Sequence, residues 1–181
     1  MRASCRGVGC LVAASLVLLM SVQVPAQESR SSQRAGEVVT MLDTVKLDSI
    51  AAKLGSDEYV AALYFSGSQL LVVKARYLVP ERMDAQLASG NYRDVYIDLN
   101  SASVEGSKTL IADFGANGLQ PRRRDNEAPD TADIAGQSYS FDGDWRKAGL
   151  SEQEYIKIFQ STDAEYTGML EALIAQLKKP S

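Results

Sequence analysis

Residues 59–65 and 69–77 are rich in Val, Leu, Tyr and Phe and are separated by Gly67-Ser68. This is the pattern of a β-hairpin whose turn needs a glycine at positive φ. A two-residue loop pairs Ser66 with Gln69. That register puts Val60, Ala62, Tyr64, Leu71, Val73 and Ala75 on one face. It puts Tyr59, Ala61, Leu63, Phe65, Leu70, Val72, Lys74 and Arg76 on the other. Both faces are mostly apolar, so the hairpin is expected to be central in its sheet and covered on both sides for much of its length.

The rest of the chain arranges itself around that hairpin. In residues 37–54, Val38, Leu42, Val45, Leu47, Ile50, Ala51 and Leu54 fall at helical spacings, with Gly55 as a stop. Residues 80–89 read as a short helix, opened by Pro80 and ended by Gly90. Residues 94–100 and 107–114 alternate and form a second hairpin when Asn100 is paired with Ser107. Val95, Ile97, Leu99, Leu110 and Ala112 then share one face, and Asp94, Tyr96, Asp98, Thr109, Ile111 and Asp113 the other. Residues 115–135, with three glycines or prolines among mixed charges in their first half, read as a long mobile loop. Residues 137–141 make one more strand.

The C-terminal helix is the best signposted element. Ser151 and Glu154 form a capping box, and Leu150 and Tyr155 are placed as a hydrophobic staple. Tyr155, Phe159, Tyr166, Met169, Leu170, Leu173, Ile174 and Leu177 form its apolar stripe. A second capping pair, Thr162 and Glu165, suggests a break near Ser161. The expected fold is α+β: an antiparallel sheet of four to five strands, made of two hairpins plus one strand, with helices packed on it and a long helix at the C-terminus. This order of elements resembles the profilin-like and roadblock-type layouts, a resemblance of order alone.

The N-terminus has its own signature. A short basic stretch with Arg2 and Arg6 precedes an apolar run at residues 10–22, and Val24-Pro25-Ala26 places small residues before Gln27. This is the three-part pattern of a cleaved secretory signal over residues 1–26. Residues 27–36 then read as a flexible leader, and residues 37–179 as a single domain. The competing reading is an uncleaved anchor, since residues 7–27 carry no charge. Beyond residue 27 no apolar run approaches membrane length.

Loss of the signal removes two arginines and no acid, so the net charge of −4 becomes −6. An acidic chain is a poor partner for nucleic acid, whose affinity comes from Lys and Arg neutralising phosphates. The signal also takes both cysteines, Cys5 and Cys10, and the chain has no histidine. Catalytic triads, cysteine nucleophiles, disulfides and zinc sites of the usual ligands are therefore excluded from the mature chain. A cysteine-free exported domain without an Asn-x-Ser/Thr site suits a bacterial periplasm or cell exterior. No cofactor is expected.

Few residues remain to carry chemistry. Lys74 and Arg76 are the only charges inside the first hairpin, and Asp94, Tyr96, Asp98 and Asp113 share one face of the second. If the hairpins adjoin, opposite charges meet beside the loop that starts at Gly115, the kind of place where binding residues sit. These six residues are the candidate site; the plain alternative is a surface ion-pair network. Asp98-Leu99-Asn100 opens like an EF-hand loop, but Ser103 and Thr109 stand where glycine and glutamate are required. Asp113-Phe114-Gly115 matches the kinase triplet in letters without the rest of that signature. The expectation is an exported, non-enzymatic binding protein for a small molecule, glycan or protein. The alternative is a hydrolase of an envelope polymer using carboxylate, tyrosine or lysine chemistry.

Overall fold

The computed structural model describes residues 29–101, 104–123 and 126–179, so the signal expected over residues 1–26 lies outside the described residues. The elements run α1 (Arg30–Val45), β1 (Ser49–Lys53), β2 (Glu58–Phe65), β3 (Gln69–Arg76), α2 (Pro80–Ser89), α3 (Tyr92–Asn100), β4 (Glu105–Phe114), β5 (Asp130–Ile134), β6 (Gln137–Phe141) and α4 (Glu152–Leu177). The six strands form one antiparallel sheet in sequential order. The α+β class holds, with six strands in place of four to five. None of the described helices is long and apolar enough to cross a membrane.

The central hairpin is present, and both its faces are covered. On one face Ile50, Val60, Ala62, Leu70, Val72, Ile111 and Phe141 pack under α1 and α4. On the other, Ala51, Tyr59, Ala61, Val73 and Ala75 pack under Met83 of α2 and Val95, Tyr96 and Leu99 of α3. The register differs from expectation by one residue. Phe65, not Ser66, lies opposite Gln69, and the loop has three residues around Gly67 at φ 74°. Because side chains alternate with period two, this single step exchanges the faces of β3. Leu70, Val72 and Lys74 join Val60 and Ala62 on the α1–α4 side.

Three elements depart from the sequence reading. The expected leader is ordered from Arg30 as the first turns of α1, whose Ala35, Val38 and Leu42 are buried. The expected helix over 37–54 ends early, at Lys46 in the left-handed region, and its second half is β1. Ser49, Ile50, Ala51 and Ala52 are all buried, so this strand shows no alternation and mimics helical spacing. Residues 94–100 are helix, not strand. Their strict alternation spans only seven residues, and Val95, Tyr96 and Leu99 form a helical face, leaving Ile97 56% exposed. The strand β4 therefore pairs with β3 rather than with residues 94–100. The element order that resembled profilin-like and roadblock-type layouts is accordingly not the one found.

The long loop is shorter and better held than expected. Residues 130–134 form β5, which turns into β6 through Ala135 and Gly136, both at positive φ. This is the two-residue turn favoured by hairpins. In α4 the capping box at Ser151 and Glu154 is complete. The helix runs unbroken through Ser161, because Thr162 turns its hydroxyl back to the Ile158 carbonyl instead of capping a new start.

Two glycines separate backbone strain from close approach. Gly118 (φ 87°) lies where an added Cβ would stand 2.4 Å from the Ser32 backbone, whereas Gly136 (φ 82°) has nothing within 4 Å. Alanine at Gly136 is expected to cost about 1 kcal/mol, the conformational term alone. Alanine at Gly118 is expected to cost about 2–4 kcal/mol, since overpacking is added. Urea denaturation of the two variants measures the difference.

Candidate functional site

Two places collect polar side chains, at opposite ends of the sheet. The first is the junction where β4 ends. Asp113 and Asp130 fall in line across β4 and β5, continuing the register that pairs Ala112 with Thr131. Both point to the α1–α4 side and are buried, at 0% and 4% exposure. Asp113 accepts hydrogen bonds from the Asn117 N–H (3.1 Å), the Gly118 N–H (2.8 Å) and the Tyr166 hydroxyl (3.0 Å). Asp130 accepts from the Phe114 N–H (2.8 Å) and the Gln120 N–H (2.7 Å).

The loop after β4 is thus folded back over the two carboxylates that hold it. It is tied to the helices as well. Ser31 donates to Asp163 (2.6 Å) and accepts from the Leu119 N–H (2.9 Å). The Asp163 carboxylate also takes the Arg30 (2.8 Å) and Ser31 (3.2 Å) N–H groups, so α4 caps the start of α1.

Burial raises the carboxyl of Asp113 to about 6, against the pull of its hydrogen-bond donors. Burial, reinforced by the charge of Asp113, raises Asp130 to about 7. Glu127 pushes both in the same direction. Tyr166, fully enclosed beside these acids, is raised well above the ordinary tyrosine value, first by burial. Such groups suit acid–base chemistry by their proton affinity, but these are sealed beneath the loop with their oxygens engaged.

The second place is a cleft of about 470 Å³ at the other end of the sheet. Glu58, Lys74, Arg76, Gly106, Ser107, Thr109 and Glu165 contribute to its walls. Lys74 on β3 reaches across to Glu165 on α4 at 2.8 Å, and Thr109 on β4 donates to the same carboxylate at 2.9 Å. Arg76 lies between Glu58 on β2 and Glu105 on β4 in the ladder. A second groove of about 460 Å³ shares Gly106 and Ser107 and continues towards Lys108 and Gly136. Lys108 is engaged there by the carbonyl (2.6 Å) and side chain (2.8 Å) of Asn100, where α3 ends. Among the described residues, no group of three or more acidic side chains is arranged to hold a metal ion.

The six residues expected to meet do not form one site. Lys74 and Arg76 line the cleft, as a cationic pair. Asp94, Tyr96 and Asp98 belong to α3, which packs on the opposite face of the sheet. Asp94 is exposed there, and Asp98 pairs with Arg82 at 2.9 Å and accepts from Gln86 at 3.1 Å. Tyr96 is buried in the core under α3, which pushes its hydroxyl up to about 12. Asp113 sits in the sealed junction, away from the cleft. The one-residue slip in the hairpin and the helix at 92–100 together account for the separation.

Glu165, Thr109, Asp130 and Asp163 were missed. In the sequence Glu165 reads as half of a local capping pair, while Thr109 and Asp163 acquire their roles only from partners 56 or more residues distant. No local pattern in the sequence marks them. Comparison with protein-family models, curated proteins and solved structures finds no match to this chain.

The separation has a direct check. A double-mutant cycle of Lys74→Met with Glu165→Gln is expected to show coupling of about 0.5–1 kcal/mol for this half-buried pair. The cycle of Lys74→Met with Asp98→Asn is expected to be additive, because the two residues lie on opposite faces.

Proposed function

We propose that the protein is an exported, non-enzymatic binding protein, and that its ligand occupies the cleft between β3, β4 and α4. The observation that carries this reading is the cleft's lining. Lys74 and Arg76 supply positive charge, while Glu58, Glu165 and Thr109 supply oxygen acceptors on the same walls. A ligand fitting that lining is a small polar molecule with an acidic group for the two cations and hydroxyl or amino groups for the acids. An amino-sugar or short-peptide fragment has this chemistry. The Lys74–Glu165 pair keeps both charges neutralised until such a molecule exchanges for them.

The same geometry speaks against the hydrolase alternative. The carboxylates with raised proton affinity are enclosed at the far end of the sheet, whereas of the two acids that line the cleft, Glu58 and Glu165, the latter is tied to Lys74 and Thr109. The reading of export, and with it a location outside the cytoplasmic membrane, rests on the N-terminal pattern of residues 1–26.

Two measurements test this. Mass spectrometry of the exported protein is expected to find a mature chain beginning at Gln27; a product retaining Cys10 would mean an anchor instead. A thermal-shift screen with peptidoglycan fragments, amino sugars, nucleotides and calcium is expected to find an acidic amino-sugar or peptide probe that raises the melting temperature. At a hundredfold excess over Kd the stabilisation is about 2.7 kcal/mol. Lys74→Met and Glu165→Gln are each expected to weaken it. A shift that survives both substitutions would move the ligand elsewhere, and turnover of a polymer probe would establish the enzyme reading.

A further inference from the structure

The cross-strand pair Asp113–Asp130 does more than fill a corner of the core. Between them the two carboxylates hold four backbone N–H groups, those of Phe114, Asn117, Gly118 and Gln120, and the Tyr166 hydroxyl. The backbone of residues 114–120 is thereby wound around two acids that are neighbours in adjacent strands. The same short loop reaches α1 through Ser31 and Ser32, the latter by the Gln120 side chain at 3.2 Å.

The surroundings of the pair offer little positive charge. From β3, Leu70 lies opposite Asp113, and from β6, Phe141 lies opposite Asp130. From α4 come Tyr166 and, one step further along the network, Asp163. From α1 comes Arg30, which contributes its backbone N–H and whose side chain is exposed, while Arg34 is engaged by Glu37 and Glu171. From the loop itself come Glu127, a third acid, and the exposed Arg122 and Arg123. Two buried carboxylates this close, with a third nearby, are costly to ionise together.

We propose that Asp113 and Asp130 form a proton-dependent latch, which holds the loop of residues 114–121 closed while the pair retains a proton and releases it once both are ionised. The sign follows from linkage. Burial raises both carboxyls above the unfolded carboxylate value, Asp113 to about 6 and Asp130 to about 7. The closed state therefore binds more protons than the open one between about pH 4 and 7. Its advantage is complete below the unfolded carboxylate value and is lost as pH rises through the folded values. The loop is thus closed in mildly acidic surroundings and loosened at alkaline pH. Opening exposes Ser31 and the start of α1, the only attachment of that helix to α4 made through buried hydrogen bonds among the described residues.

Amide hydrogen exchange of the full mature chain, corrected for the intrinsic pH dependence, tests the latch. Protection at Asn117, Gly118 and Gln120 is expected to fall about tenfold or more from pH 6 to pH 8, the change that follows from one unit of displaced titration. Val72 and Ile111, in the sheet centre, are expected to keep theirs. Asp130→Asn removes the larger of the two titrations, and the fall in loop protection from pH 6 to pH 8 is expected to shrink to about twofold, the share left to Asp113, whose carboxyl is raised first by its own burial. Carbon-13 titration of the aspartate carboxyls in the unmodified protein supplies a reading that needs no variant. Loop protection flat from pH 6 to 8, or both carboxyls titrating below pH 4.5, would overturn the proposal, as would loop and sheet amides losing protection together.

Discussion

Three buried aspartates accept hydrogen bonds from six backbone N–H groups at places where helix and strand ladders run out. Asp163 takes the first two of α1, Asp113 two in the loop after β4, and Asp130 one at the end of β4 and one further along that loop. A buried N–H without a partner costs about 1–3 kcal/mol, and a charged acceptor returns more than a neutral one. An apolar layer alone leaves α1 free to slide over the sheet, because hydrophobic contact is not directional. The aspartates supply direction. Ser31, bonded at once to Asp163 on α4 and to the loop at Leu119, is the point where helix, helix and sheet are registered to one another.

That arrangement divides the sheet into two ends with different tasks. At one end the acids are turned inward, enclosed, and spent on backbone groups. At the other, where β3 ends and β4 begins, the charged residues stay within reach of solvent, and Lys74 pairs with Glu165 across the cleft. Consecutive residues of α4 serve both ends: Tyr166 reaches Asp113, and Glu165 reaches Lys74 and Thr109. The cleft and the junction therefore meet the same turn of one helix.

Much of the frame was legible in the sequence. The central hairpin, the short helix after it, the strand ending at Phe114 and the capped C-terminal helix each carry a local signal strong enough to survive. Tyr155 and Tyr166 stand on the apolar stripe read for the C-terminal helix, and both are buried. The failures have physical causes. β1 is covered on both sides, so its Ile-Ala-Ala run gave no alternation to read. Residues 94–100 alternate over too short a span to separate strand from helix, and only packing under α3's neighbours decides it. The hairpin turn was located at the right glycine with the wrong loop length, and one residue of slip was enough to carry Lys74 to the other face.

The candidate site fared differently for the same reason. Lys74 and Arg76 do line the cleft between β3, β4 and α4, because their isolation among apolar residues is a local fact. Their partners Glu165 and Thr109 come from distant segments, so nothing near either residue announced the cleft. Asp113 was noticed as an acid on a strand, while its pairing with Asp130 depends on a hairpin the sequence did not reveal.

The Ser31–Asp163 hydrogen bond registers α1 against α4 and the loop. A double-mutant cycle of Ser31→Ala and Asp163→Ala, followed by urea denaturation, measures that bond most directly. A coupling of about 1.5–3 kcal/mol is expected for a buried hydrogen bond to a charged acceptor. Additivity within about 0.3 kcal/mol, with each single variant costing less than about 0.5 kcal/mol, would contradict it and leave the apolar layer as the sole determinant of how α1 sits.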